Sequence, residues 1–312
     1  MLRRLTCEKA ALERDLSGKT IIVTGPTSGV GKATALQLLK QGAHVVVACR
    51  NQTLGEALVE QAKPLRGSTV AMQCDVSSFA SVRNFAEAVI SKYKAIDGLV
   101  NNAGCMNCPH KYSADGVELQ FATNYLGPWL LTSLLMPLLE AGGGRVINVS
   151  SANHNIFAGK RGHLDLDDPS FERRTYDGWA GYAQSKLAQV LHARELARRH
   201  PSVLAVAIHP GSICTNVTRY MFSYTVRKMI LPLERVFVGQ VSTWVGIQTG
   251  LHCLLAERSE LQNGGYYSQH RSPYGAKGGW PYRSPNPEAN DDELARKLWD
   301  RSVEMVARAA AC

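Results

Sequence analysis

In the stretch "YAQSKLAQV" a phenol and an ammonium, Tyr182 and Lys186, stand four residues apart. That spacing sets both on one face of a helix, a single turn from each other. A phenol with a pKa near ~10 is a poor base at neutral pH, and a neighbouring ammonium favours its ionised form. Such a pair could move a proton. Alone, the Tyr-x-x-x-Lys pattern says little, because many surface helices carry one, and its meaning depends on what else the chain supplies.

The second candidate is a glycine loop. "TGPTSGVGK" runs from Thr24 to Lys32, with glycines at Gly25, Gly29 and Gly31. It follows an apolar stretch and opens a helical pattern. Glycines let the backbone turn tightly and approach a pyrophosphate, and the helix start behind them offers free N–H groups and the positive end of its dipole. An ordinary strand-to-helix turn needs one glycine, so three in this frame favour a dinucleotide. The spacing is Gly-x-x-x-Gly-x-Gly rather than Gly-x-Gly-x-x-Gly.

Elements must bring these groups together. "KTIIVTG" from Lys19, "HVVVAC" from His44, "STVAMQCDV", "IDGLVNNAG", "GRVINVSS" and "SVLAVAIHPG" read as buried strands. Helical patterns lie between them, at Gly31 to Gln41, in "LGEALVEQAK", in "FASVRNFAEAVISKY", and from Ala114 to Glu140 with a bend expected at Pro128 or Pro137. A polar insertion then precedes the helix of Tyr182 and Lys186. Alternation at this pace predicts an α/β fold: one Rossmann-type, doubly wound parallel sheet with helices on both faces. Gly25, Asn101, Ser151 and Pro210 all fall just past strand ends, where such sheets bind their ligands.

With "TGPTSGVG", "CDV", "NNAG" (Asn101 to Gly104), Asn124, "NVSS", "YAQSK" and "HPG" in order, the chain resembles the short-chain dehydrogenase/reductase family from Lys19 to about Arg308. Within it, "ACRN", "SSANH", "SKLAQVL", "GIQTGLHCLLAE" and "SPNPEANDDELARKLWDRSVEM" are most similar to the retinol dehydrogenase and WW-domain oxidoreductase branch, without a WW domain or the N-terminal membrane anchor common among retinol dehydrogenases. The resemblance implies a catalytic set of Asn124, Ser151, Tyr182 and Lys186. Tyr182 would be the acid/base, Lys186 would stabilise its phenolate and hydrogen-bond the nicotinamide ribose, Ser151 would hold the substrate oxygen, and Asn124 would hold a water linking Lys186 to solvent. The cofactor would lie on Gly25, Thr27, Ser28, Gly29, Val30 and Gly31. Asp75 and Val76 would meet adenine, Asn102, Ala103 and Gly104 the adenosine-side ribose, and Pro210, Gly211, Ile213 and Thr215 the nicotinamide end. The expected organisation is one domain over 1–312, with an extension at 1–18, a substrate lid at 212–238 and a C-terminal tail and helix at 281–312.

The second strand ends in "ACRN". NAD users place a carboxylate there for the ribose hydroxyls. None is present, and Arg50 can form a charge-assisted fork to a 2′-phosphate, which favours NADP(H) over NAD(H). Pro26, where the family has a small residue, costs an N–H that need not face phosphate.

Composition narrows the partners. The +9 net charge, 35 basic against 26 acidic residues, is scattered rather than gathered on one element with aromatics. That excludes the usual nucleic-acid signature. The expected partner is a small carbonyl or alcohol. Peripheral membrane contact through "RYMFSYTVRKMILPLERVF" and a homo-oligomer stay open. That apolar lid, with Met221, Phe222 and Tyr224, points to a lipophilic substrate such as a retinoid, steroid or long-chain aldehyde, while the polar insertion from Asn153 to Gly181 points away from one. His154 and His163 in it read as hydrogen-bonded loop residues. No secretory signal or membrane span shows, and the 8 cysteines, Cys105-x-x-Cys108 included, read as reduced thiols of an intracellular protein, cytoplasmic or peripherally membrane-associated, with no metal site. A nucleotide-sensing or scaffolding protein without turnover is the competing class. A missing tyrosine or lysine would favour it, and both are present.

Overall fold

The strands alternate their side chains between two helix layers, and this sorts the core. Ile21 and Val23 of β1 (Thr20–Thr24) face one layer while Ile22 faces the other. In β2 (His44–Cys49), Val45 and Val47 oppose Val46 in the same way. A period of two on a sheet buried on both sides produces continuous apolar runs. The structure is a computed structural model that describes residues 6–157, 160–213, 241–269 and 280–310.

The remaining strands are β3 (Ser68–Gln73), β4 (Gly98–Asn101), β5 (Arg145–Val149), the short antiparallel pair β6 (Ile156–Phe157) and β7 (Lys160–Arg161), β8 (Leu204–His209) and β9 (Tyr266–Ser268). Seven of them form one sheet in the order β3-β2-β1-β4-β5-β8-β9, with every neighbouring pair parallel. The order reverses between β1 and β4, which opens a crevice at the carboxyl ends. β9 is only three residues, too short to stand out as an apolar run.

One layer holds α1 (Lys9–Glu13), α2 (Gly29–Lys40), α3 (Gln52–Ala62) and α8 (Thr243–Leu255). The other holds α4 (Phe79–Lys92), α5 (Leu119–Phe121), α6 (Gly127–Ala141), α7 (Gly178–Arg199) and α9 (Asp292–Ala310).

The helix expected from Ala114 begins later. Ser113 to Gly116 form a turn, with the Ser113 hydroxyl accepting from the N–H groups of Asp115 and Val117 and with Gly116 at φ 73°. Turn chemistry of Ser, Asp and Gly overrides helix propensity there. Glu118 then caps α5, accepting from the N–H groups of Gln120 and Phe121. Pro137 sits inside α6 and Pro128 stands in its first turn. The irregularity just before Pro128 is a π-turn over Ala122–Leu126, where Gly127 N–H reaches the Ala122 carbonyl. Pro128 has no N–H, so the Asn124 carbonyl lacks its ordinary helical donor.

Candidate active site

A cavity of about 390 Å³ lies over the carboxyl ends of the strands. By sheet order it runs from Arg50 and Asp75, past the glycine loop, to Ser151, Tyr182 and Ile213. Its wall includes Gly25, Thr27, Ser28, Gly29, Val30, Val76, Asn102, Ala103, Gly104, Lys186, Pro210 and Gly211 as well. Two expected residues stand one layer behind, Gly31 and Asn124. Thr215 and nearly all of the 212–238 segment lie outside the described residues. Leu54, Cys74 and Thr123 also line the cavity, and nothing in their residue types marks them for it.

The glycines are demanded by close packing. Gly25 has φ 63°, and a Cβ there would sit 2.9 Å from Ala103 Cα. A Cβ on Gly31 would meet Asn102 Nδ2 at 2.3 Å. Asn102 clamps the loop, donating from Nδ2 to the Thr24 and Gly25 carbonyls at 2.9 and 3.2 Å. Thr24 Oγ1 accepts from the N–H groups of Asn102 and Ala103. The "TG" and "NNA" motifs are thus two halves of one joint. The N-terminus of α2 carries no side-chain cap, because Ser28 makes no capping bond. Backbone free of Cβ atoms in front of uncapped N–H groups suits a dinucleotide pyrophosphate.

At the other end, Tyr182 and Ser151 line the cavity side by side, and the Ser151 hydroxyl donates to Asn153 Oδ1 at 3.4 Å and accepts from Asn153 N–H at 3.2 Å. Lys186 lies one turn on, with Nζ 5.6 Å from the Tyr182 ring centre. Its ammonium donates to the Val149 carbonyl at 2.8 Å and to Gln189 Oε1 at 3.0 Å. Ser150 is occupied elsewhere, its hydroxyl donating to the Lys186 carbonyl at 2.7 Å. Burial pushes the phenol up to about 12, against the neighbouring Ser151 hydroxyl, which lowers it. Burial also holds Lys186 down to about 7, although the nearby Cys105 thiol works the other way. Without a further positive charge, the pair is therefore not poised to ionise the phenol at neutral pH. The reason is desolvation, which penalises both charged forms.

Asn124 holds this corner. Its Oδ1 accepts from Cys105 N–H at 2.8 Å, and its Nδ2 donates to the Cys105 carbonyl and to Ser185 Oγ, both at 2.9 Å. Both amide donors and one of the two acceptor sites are thereby committed within the protein. The main-chain carbonyl freed by Pro128 is a further group that could hold a water. Cys105 and Cys108 are both buried thiols, and the groups this pair turns to the network are backbone ones.

His154 braces Ser151 from behind. Its Nδ1 donates to the Ser151 carbonyl at 2.5 Å, and Nε2 accepts from Ser284 Oγ at 2.7 Å. Burial lowers His154 to about 4, so the ring is neutral, which this tautomer requires. His163 bonds Glu288 at 2.7 Å. Both histidines are hydrogen-bonded loop residues, as their setting suggested. What the sequence concealed is that both partners come from the C-terminal segment.

Much of the insertion's polarity is committed to hydrogen bonds within it and to its neighbours. Asp168 accepts from the N–H groups of Glu172, Arg173 and Arg174. Arg174 donates to Gln184 Oε1, and Tyr176 bridges the Cys108 carbonyl and the buried Glu118 carboxylate.

At the opposite end, Arg50 is largely exposed and lies 4.0 Å from the Asp75 carboxylate. Asn51 caps α3, accepting from Leu54 N–H at 3.0 Å. Arg50 is the cation at the tip of β2, and its loose contact with Asp75 leaves its fork accessible.

Known proteins are similar to this chain. A family model described as short chain dehydrogenase matches residues 19–159. Retinol dehydrogenase 13 of Mus musculus is 38% identical over 305 residues, covering 95% of this chain and 86% of that protein. Retinol dehydrogenase 12 of Bos taurus is 37% identical over 297 residues, covering 93% and 87%. Among solved structures, an uncharacterized protein from Mycobacterium Paratuberculosis superposes with a TM-score of 0.75 at 29% identity, covering 97% of this chain and 98% of that one. A structure from Beutenbergia cavernae, provisionally described as an NAD(P) dependent gluconate 5-dehydrogenase and holding NADP at low occupancy, gives 0.64 at 25% identity, covering 82% and 96%.

Proposed function

The chain belongs to the short-chain dehydrogenase family, in its retinol dehydrogenase-like branch, and from that premise we propose that it is an NADP(H)-dependent enzyme interconverting a lipophilic alcohol and its carbonyl. Carbonyl/alcohol oxidoreduction comes with the family. The observation that carries the catalytic reading is that Tyr182, Ser151 and Lys186 share one cavity wall, with Lys186 one turn from Tyr182.

The residues present fit a nicotinamide dinucleotide: a Cβ-free cradle at Gly25, uncapped α2 N–H groups, and a buried ammonium at the far end. The cofactor supplies or accepts the hydride. Ser151 Oγ donates to the substrate oxygen and fixes it beside the phenol. In reduction Tyr182 gives its proton to that oxygen, and in oxidation it takes the proton back. Lys186 stays charged to hold the ribose hydroxyls and to favour the phenolate. The Asn124 carbonyl would hold the water through which Tyr182 and Lys186 recover their proton.

Two features support the finer reading. Arg50 stands where NAD users have a carboxylate, so a 2′-phosphate meets a cation. The curated relatives act, by name, on retinol. Among the described residues no helix is long and apolar enough to cross a membrane. The test is oxidation of NADPH and of NADH by the purified protein against retinoids, steroids, long-chain aldehydes and small polar aldehydes. Faster use of NADPH with a lipophilic carbonyl is expected, and Arg50→Asp should erase or reverse the cofactor preference. Equal use of NADH by the wild type would overturn the NADP(H) preference, and a far higher kcat/KM on small polar aldehydes would overturn the lipophilic substrate.

A further inference from the structure

Lys186 leaves one question open: what keeps an ammonium charged where it is almost wholly buried. The side chain is 4% exposed. The titratable groups facing it are the Tyr182 phenol on its own helix and the Cys105 thiol from the loop after β4, and among the described residues no carboxylate pairs with it. Two neutral oxygens hold it instead. One is the Val149 carbonyl at the end of β5. The other is Oε1 of Gln189, one turn further along α7.

We infer that Gln189 is a positioning residue for the proposed reaction: its side-chain oxygen anchors the Lys186 ammonium, keeps it protonated, and leaves its last donor for the cofactor ribose. The inference rests on the reading of Lys186 as the ribose and phenolate partner. Gln189 is 1% exposed, so no water can replace it. The orientation of its amide is settled chemically, because an ammonium only donates and must meet the oxygen. The cost is visible, since Nε2 of the same amide is buried without a partner. A buried amide donor left unpaired is unfavourable, and here it is retained where the opposite end serves the lysine. The backbone carbonyl of Gln189 accepts from Asn148 Nδ2 at 3.2 Å, which ties this turn of α7 to β5. Gln189 is thereby held at both its side chain and its main chain.

Removing the acceptor leaves the ammonium one hydrogen bond short in a low-dielectric site, which disfavours its charged form. Gln189→Leu keeps the bulk and deletes the oxygen, while Gln189→Glu keeps an acceptor and adds a negative charge. NADPH binding is followed by fluorescence titration across pH in the wild type, both variants and Lys186→Met, with thermal stability measured alongside. Wild-type affinity should fall as pH rises through the lysine midpoint. Gln189→Leu should move that midpoint down by about one pH unit or more, and Gln189→Glu should move it up. A merely structural role would lower stability in both variants without moving the midpoints apart. Lost NADPH affinity in Lys186→Met, together with coincident midpoints in the wild type and both Gln189 variants, overturns the inference and leaves the proposed function standing. Unchanged NADPH affinity in Lys186→Met removes the ribose role of Lys186 and takes this inference with it.

Discussion

Tyr182 shows how burial and function pull against each other at one atom. Desolvation carries its phenol to about 12 and its lysine partner down to about 7. Both shifts penalise the charged forms that proton transfer needs. The positive nicotinamide of the oxidised cofactor is the charge that would restore the phenolate, so the acid/base pair should be competent only in the loaded enzyme. Tyr182→Phe is expected to abolish turnover while NADPH binding stays near the wild-type level, because the ring remains and the proton is gone. Lys186→Met is expected to lose both. Stopped assays and binding titrations on the two variants separate these outcomes, and substantial turnover in Tyr182→Phe would sink the acid/base assignment. At Gly31 the constraint is steric. A methyl group would lie 2.3 Å from Asn102 Nδ2, and Asn102 cannot retreat without releasing the Thr24 and Gly25 carbonyls. Gly31→Ala should weaken NADPH binding by ten-fold or more and cost on the order of 1–3 kcal/mol of stability. Wild-type affinity in that variant would show the joint to be slack.

Elements far apart in sequence meet behind Ser151. The 3₁₀ turn Ala152–His154 follows β5 directly, and its histidine reaches Ser284. Asn286 Nδ2 adds bonds to the carbonyls of His154 and Gly162 at 2.7 and 2.8 Å. The "SPNPEAN" segment is therefore a buttress for the Ser151 backbone. Ser284→Ala removes two neutral hydrogen bonds, one to His154 Nε2 and one from Asn286 N–H, and leaves His154 Nε2 buried without a donor, a cost of about 1–3 kcal/mol. Because the histidine sets the Ser151 carbonyl, kcat should drop while NADPH affinity holds. A variant with unchanged kcat and reduced melting temperature would reduce the buttress to stability alone. α8 makes a comparable contact at the nicotinamide end. A Cβ on Gly246 would lie 2.0 Å from Ile213 Cδ1, so this glycine lets the helix press against the loop after β8.

For the molecule as a whole, two buried neutral histidines set the acid limb of stability. Burial lowers His154 to about 4 and His192 to about 3. Unfolded, both return to about 6.5. As pH falls below that value the unfolded chain takes up protons that the folded chain refuses until its own lower pKa is reached. Stability is thus fully present above about pH 6.5 and is lost progressively down to about pH 3–4. At about pH 5 each histidine should account for roughly 2 kcal/mol. Melting curves from neutral to acid pH should show this decline, and His192→Gln should flatten it. A parallel decline in wild type and variant would assign the acid limb to other groups.

Much of this was legible in the sequence because it is local. Period-two burial on a two-faced sheet writes itself as apolar runs, which is why β1, β2, β4, β5 and β8 could be read directly. Glycines with positive φ and the one-turn spacing of Tyr182 and Lys186 are equally local, since each depends on a few neighbouring residues. The helix start at Leu119 was misplaced because turn chemistry at Ser113 to Gly116 outweighed a helical pattern, and β9 was missed because three residues carry no period. The hydrogen-bond partners of Gln189, Asn124 and His154 could not be read from the sequence. Each depends on a hydrogen bond whose partner is chosen by packing: Lys186 turned inward by α7 against β5, the Cys105 loop folded over a π-turn, and Ser284 brought 130 positions back along the chain. Residue types and spacing determined which chemistry the chain could attempt. Tertiary structure decided which polar atoms are committed and which stay available, because inside a water-excluded core each donor must be matched to an acceptor that only the fold brings within reach.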